Sequence, residues 1–376
     1  MRNLTRRDVL RTVPAAALLG ASRGFAASSS TQRVFIASNT PEGIRAFDWN
    51  PATAELTSAG VAAAIENVDW ICFSPDRKTI FAAAEVDRFN GKPTGGVVSL
   101  RLVDGKLTQV SAQNSAARGT CQCAIDHTGQ TLLAADYGGG SAASFKVTGG
   151  ALSPLVWSQH YTSHGPNPHR QESAHAHFAS FSPDNRFAFI NDLGGDCIHI
   201  YRLHPATAEL TPASEWHSEP GFGPRTLHFH PNGVTAYCLN EMASTVSVLH
   251  WNKTDGSFTT VSEFPLHPDP ARGPNTGCDT VITRDGRFVY FANRGDDFIM
   301  SAKADPHTGA LTAIAKSPTG GKTPRNFTLD PTERWMLVAN QGSSQLSVFA
   351  RDPHTGALAD QGKSYDCPTP MCILFA

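Results

Sequence analysis

The chain has 376 residues, 40% of them hydrophobic, with 32 Gly and 25 Pro, and no interior Pro/Gly-rich stretch reads as a linker between two domains. A formal charge of −2 gives no electrostatic footprint for nucleic acid. No apolar run reaches the roughly 18 residues that a membrane-crossing helix requires, so no stable membrane insertion is expected.

The first element differs in kind from the rest. Thr5-Arg6-Arg7-Asp8-Val9-Leu10-Arg11 precedes an apolar run from Val13 to Gly20 and a small-residue stretch ending near Ala26-Ala27. This resembles a twin-arginine export signal over residues 1–27, with Arg6 and Arg7 as the paired basic residues. The expected partner is the twin-arginine export machinery, and the expected location of the mature domain, 28–376, is periplasmic or extracellular. Removing residues 1–26 takes away five Arg and one Asp, leaving a charge of about −6.

From Val34 onward a short alternating apolar strand recurs about every 50 residues. Examples are Val34-Phe-Ile-Ala-Ser-Asn39, Thr131-Leu-Leu-Ala-Ala-Asp136 and Trp335-Met-Leu-Val-Ala-Asn-Gln341. Turns such as Ser74-Pro-Asp-Arg77, Ser182-Pro-Asp-Asn185 and Asp330-Pro-Thr-Glu333 precede six of the seven copies. Proline pre-sets φ at the first corner, and Asp, Asn and Gly tolerate the later ones. A second turn follows later in each unit, as in Asp305-Pro-His-Thr-Gly-Ala-Leu311. Each unit thus reads as four antiparallel strands, labelled A to D, and the whole as an all-β, seven-bladed propeller. The first unit lacks strand A. The tail Thr369-Pro-Met-Cys-Ile-Leu-Phe375 is expected to supply it, closing the ring by pairing the two chain ends.

Ring symmetry says where to look for a site. Strand B is read as ending in Asn39, Glu85, Asp136, Asp192, Glu241, Arg294 and Gln341. Strand A, aligned on its turn, carries Asp69, Cys121, His177, Arg225, Cys278 and Arg325 at one equivalent position. Both sets should approach the axis, where His177, Arg225, Glu241 and Arg294 converge from three adjacent blades. A carboxylate or imidazole there can deprotonate water, while guanidinium groups hold an anion or a developing oxyanion. His175, Asp192, Arg325 and Gln341 are the expected substrate-binding neighbours. A strand-end acid taken alone also satisfies turn backbone, so the ring itself does not establish catalysis.

Other chemistries find less support. No Gly-x-Ser-x-Gly elbow occurs. Tyr137-Gly138-Gly139-Gly140-Ser141 lacks the ending of a phosphate loop and reads as a hairpin turn. His175 and His177 share a strand face but have no third ligand by spacing, and the eight cysteines are too scattered for a disulfide scaffold. No metal or cofactor is expected, and the propeller is expected to be a monomer.

With these residues in place, the chain resembles the seven-bladed propeller lactonases, typified by bacterial 6-phosphogluconolactonase, with a fungal carboxy-cis,cis-muconate lactonising enzyme as a relative. The stretches that carry it are Gln171-Glu-Ser-Ala-His-Ala-His177, Gly221-Phe-Gly-Pro-Arg225, Leu239-Asn-Glu241, Ala292-Asn-Arg-Gly295, Thr323-Pro-Arg325 and Val338-Ala-Asn-Gln341. The resemblance implies hydrolysis of a sugar lactone by His177, Arg225, Glu241 and Arg294. Its alternatives are cycloisomerisation of a muconate-like dicarboxylate, or an exported non-catalytic propeller binding a glycan or protein. Departures from the family pattern fall at Ala174, Thr226 and Cys278-Asp279-Thr280.

Overall fold

The computed structural model describes residues 31–267 and 275–376; the proposed signal over 1–27 lies outside them. Alternating apolar residues build 28 strands, arranged as seven four-stranded antiparallel sheets. Blades 2 to 7 take four consecutive strands each. Their innermost A strands are Val68–Phe73, Thr120–Ile125, Ala176–Phe181, Pro224–Phe229, Thr276–Ile282 and Pro324–Leu329. Blade 1 is completed from both ends of the chain. Pro370–Phe375 pairs with Gln32–Ser38 in the register Val34↔Phe375 and Ile36↔Ile373.

The turn between strands A and B is the same device six times. Its fourth residue donates its backbone N–H to the first residue's carbonyl at 2.8–2.9 Å, from Arg77, Gly129, Asn185, Gly233, Gly286 and Glu333. All six have positive φ. Glycine and asparagine accept that conformation readily; Arg77 and Glu333 are held there by the turn.

The core lies between blades. Seven apolar clusters occupy the seven contacts between neighbours; Tyr237, Leu239 and Val246 of blade 5, for example, pack on Val289, Phe291 and Met300 of blade 6. The cluster between blades 7 and 1 includes Ile373 and Phe375 from the closing strand.

One irregularity recurs where the blades meet the axis. Near its start each A strand carries one residue more than strand B opposes, a β-bulge. The unpaired residues are Asp69, Cys121, His177, Arg225, Arg325 and Met371, with Cys278-Asp279 spanning the bulge in blade 6. A bulge re-aims its extra side chain. This is how the equivalent positions read from the turns reach the axis.

Candidate active site

An axial cavity of about 410 Å³ is lined by bulge residues Cys121, His177, Arg225 and Arg325, and by Glu85, Tyr137, Glu241 and Arg294 just beyond or at the ends of B strands. Arg170, Thr276, Gly295 and Thr323 complete the wall. His177, Arg225, Glu241 and Arg294 are therefore brought together, and Arg325 faces the same space.

Glu241 is the hub. It is 2% exposed, yet three arginines meet it. Arg225 Nη1 donates to Oε2, Arg294 Nη2 lies 3.0 Å from Oε2, and Arg170 Nη2 donates to Oε1 at 2.6 Å. Burial alone would raise its pKa. Arg294 and Arg225, then His177 and Arg170, outweigh that and hold the carboxyl well below its usual range. Glu241 is thus a firmly ionised anchor and a weak base.

His177 stands beside it. Arg225 Nη1 donates to His177 Nε2 at 2.5 Å, so Nε2 carries the lone pair and Nδ1 the proton. Nδ1 is buried without a hydrogen-bond partner. Burial, then Arg225's charge, lowers the imidazole's pKa well below the ordinary value, so it is neutral at physiological pH. Arg225 is held in turn by Nε donation to Cys278 O at 2.6 Å.

The opposite wall carries a second charged group. Arg325 Nη2 bonds both oxygens of Asp69, at 2.9 and 3.2 Å. Burial, with Asp69's charge next in size, raises the pKa of Glu85 to about 8. Glu85 is therefore largely a neutral acid at pH 7, facing a cavity whose other carboxylate is ionised. Cys121 also lines the wall, but burial pushes its thiol well up, which excludes a resting thiolate nucleophile.

Three residues expected to bind substrate are not among those lining the cavity. Asp192 closes strand B of blade 4. Its oxygens accept from the His175 and Gly195 amides, at 2.7 and 3.1 Å, and from Ser163 Oγ. The strand register gives the reason. Asp136 and Asp192 pair with Thr120 and Ala176, as Asn240 pairs with Pro224 and Asn340 with Pro324. The true equivalents of Glu241 are one residue later, Tyr137 and Leu193. A one-residue slip exchanges the faces of a strand, so the aspartates turn into the blade and Tyr137 faces the cavity. His175 stacks on Tyr137, ring centroids 4.5 Å apart, and bonds Tyr137 O through Nδ1 at 3.0 Å; it positions the wall without forming it. Gln341 opens a short 3-10 turn, its amide bonded to Thr323 O at 3.0 Å.

Tyr137 and Arg170 are lining side chains outside both rings read from the sequence, and Glu85, though in the strand-B ring, was not among the expected site residues. Tyr137 was accessible through the constant offset from the turn to strand B's end. Arg170 sits in the long connection between blades 3 and 4, outside the repeat, and no periodic signal points to it. The departures at Thr226 and Asp279 lie in a narrower part of the channel with Trp70 and Phe178, outside the lining of the main cavity.

The family model for seven-bladed β-propeller lactonases matches residues 28–375. The chain belongs to that family. It is 31% identical to the 6-phosphogluconolactonase of Bacillus subtilis over 299 residues, 79% of this chain and 83% of that one. A 6-phosphogluconolactonase of Formosa agariphila is 30% identical, over 78% and 84% of the two chains. The solved structure of the periplasmic gluconolactonase of Pseudomonas aeruginosa superposes with a TM-score of 0.86 at 30% identity, covering 92% of this chain and 99% of that one. Among the described residues no helix of this lactonase-family chain is long and apolar enough to cross a membrane.

Proposed function

We propose that this protein hydrolyses a sugar δ-lactone to its open-chain acid. The observation that carries the reading is the clustering of His177, Arg170, Arg225 and Arg294 around an ionised Glu241 in one axial cavity. Ester opening needs a base for water, donors for the oxyanion and an acid for the leaving oxygen, and the cavity offers all three.

As Arg225 turns from His177 Nε2 to the substrate carbonyl, the freed Nε2 lone pair takes a proton from water while the water oxygen bonds to the lactone carbonyl carbon. The carbonyl electron pair moves to oxygen, where Arg225 and Arg294 stabilise the charge. Collapse re-forms the carbonyl and breaks the bond to the ring oxygen, which takes its proton from Glu85. Glu241 sets the three arginines in place and remains ionised throughout. This division gives the two carboxyls separate tasks, in keeping with environments that push their pKa values apart.

The phosphorylated and unphosphorylated aldonolactones are both within this chemistry. Relatives of similar identity carry names of each kind. The export signal read at the N-terminus favours the unphosphorylated lactone, formed outside the cytoplasm when an aldose is oxidised at C1. Purified protein is tested for ring opening above the spontaneous rate with glucono-δ-lactone and 6-phosphogluconolactone, beside an open-chain muconate. Acceleration of either lactone supports the proposal. Turnover of the muconate alone, or of none, overturns it.

A further inference from the structure

Blade 4 departs from blades 3, 5 and 7 beside, and outside, the axial cavity. In those three the polar residue ending strand B is tied to strand C by direct hydrogen bonds. Asn240 Nδ2 donates to Thr245 Oγ1 at 3.1 Å and to Ser247 Oγ at 2.8 Å. Ser141 Oγ donates to Asp136 Oδ2 at 2.8 Å, and Asn340 Nδ2 to Ser347 Oγ at 2.9 Å. In blade 4 the same positions, by register, are Asp192, Cys197 and His199, and three groups able to ligate a metal replace the amide and hydroxyls.

Their spacing is opened to match. His199 Nε2 lies 3.5 Å from Cys197 Sγ and 3.6 Å from Asp192 Oδ2, with one donor atom from each residue within 4.8 Å of the others. With Zn–S, Zn–N and Zn–O bonds of about 2.3, 2.05 and 2.1 Å, tetrahedral edges are about 3.6 Å for N–S and about 3.4 Å for N–O. His199 Nδ1 bonds Glu215 Oε1 at 2.8 Å. That contact puts the proton on Nδ1 and leaves the Nε2 lone pair facing the thiol and carboxylate. Tyr161 stacks flat on the imidazole, centroids 4.0 Å apart, and fixes the ring. All three side chains are buried, and a cavity of about 480 Å³ lined by Cys197, His199, Ser163 and His217 reaches two of them, Cys197 and His199, from outside.

We infer that Asp192, Cys197 and His199 form a binding site for a divalent transition metal of zinc-like softness, with Glu215 orienting the histidine and the outer cavity supplying a water as fourth ligand. Binding displaces the Cys197 proton to solvent and leaves a thiolate–metal bond, with no change of oxidation state. The cation ties strands B and C together, below the segment that bonds Asp192 through the His175 amide. This differs from the sequence expectation of no metal: the three ligands fall within the eight residues Asp192 to His199, but on two strands that only the B–C hairpin sets side by side.

The test uses tag-free protein stripped with a chelator and titrated with Co²⁺. One equivalent should bind with the visible spectrum of tetrahedral cobalt and a thiolate charge-transfer band, and Zn²⁺ should displace it and raise the melting temperature. Cys197→Ser should abolish the charge-transfer band. Glu215→Gln should keep the band and weaken binding about 10–100-fold. The wild-type titration does not depend on any variant folding. The inference is overturned if stripped wild-type protein binds no stoichiometric Co²⁺ or Zn²⁺, or if the thiolate band survives in folded Cys197→Ser; the first result would mean a hydrogen-bonded network only.

Discussion

Arg170 Nη2 lies 2.6 Å from Glu241 Oε1, although the two residues are 71 positions apart and Arg170 belongs to no blade. The buried carboxylate thus borrows its third guanidinium from a connection that lies outside the repeat. Arg170 also reaches Tyr137 Oη at 3.3 Å. A loop arginine therefore closes the cavity wall between blades 3 and 5.

Arg170→Ala should leave the fold intact, because its side chain is 39% exposed and Glu241 keeps two arginines. KM should rise roughly tenfold, about 1.4 kcal/mol, with kcat little changed, as expected for a group that binds substrate and transition state alike. Steady-state kinetics on the active lactone check this. An equal fall in kcat and kcat/KM would instead place Arg170 in the chemical step.

Glu241→Gln removes the anion shared by Arg225 and Arg294. A propeller whose stability lies only in its blade sheets would tolerate this. The structure argues otherwise, because it leaves two largely buried guanidiniums uncompensated, which typically costs about 3–5 kcal/mol. Denaturant unfolding should show the loss alongside a strongly reduced kcat. An unchanged midpoint would mean that the arginines find other partners.

Glu85→Gln keeps the side chain's shape and removes its proton-donating acid. With Glu85 as the acid, parental kcat/KM should decline as pH rises through about 8. The variant should lose that limb and about 10²–10⁴ in rate at neutral pH. Its stability should move the other way. A carboxyl raised in the folded state binds more protons there than in the unfolded chain. The parent therefore loses stability as pH climbs from the unfolded value near 4.5 to about 8. The melting-temperature advantage of Glu85→Gln should grow over that window and level off above it, as a calorimetric pH series would show.

Deleting residues 370–376 removes the strand that closes the ring. Met371, Ile373 and Phe375 are at most 7% exposed. At about 1.5–3 kcal/mol each, their burial contributes about 5–9 kcal/mol, and the deletion also exposes the edge of Gln32–Ser38. The truncated protein should aggregate or unfold at temperatures the parent survives. A soluble, cooperatively melting truncation would show that blade 1 holds on three strands.

The repeat and its ring closure were legible because strand alternation and turn chemistry are local, and seven copies reinforce one another. His177, Arg225, Glu241, Arg294 and Arg325 could be read for the same reason, being fixed by their offset from a turn. The error at Asp136 and Asp192 came from aligning on residue type, acid with acid, where register is the physical invariant. Counting from the turn would have led to Tyr137. Arg170 lies outside any repeat. The pKa of Glu85 is raised by burial and by the charge of Asp69 and is partly pulled back by Arg325, two blades round, a balance that only the closed ring creates.

The axial bulges have a consequence for how such a scaffold can acquire new chemistry. Each places its residue outside the strand ladder, so exchanging that residue costs the sheet no hydrogen bond. The blades thereby present a set of sockets around one opening. His177 and Arg225 occupy neighbouring sockets and are bonded to each other, as Arg325 is to Asp69, while Cys121 and Met371 hold others without making a side-chain ion pair. Substrate preference can be rewritten there socket by socket, or pair by pair where two occupants touch, with the ring of sheets as an unaltered chassis.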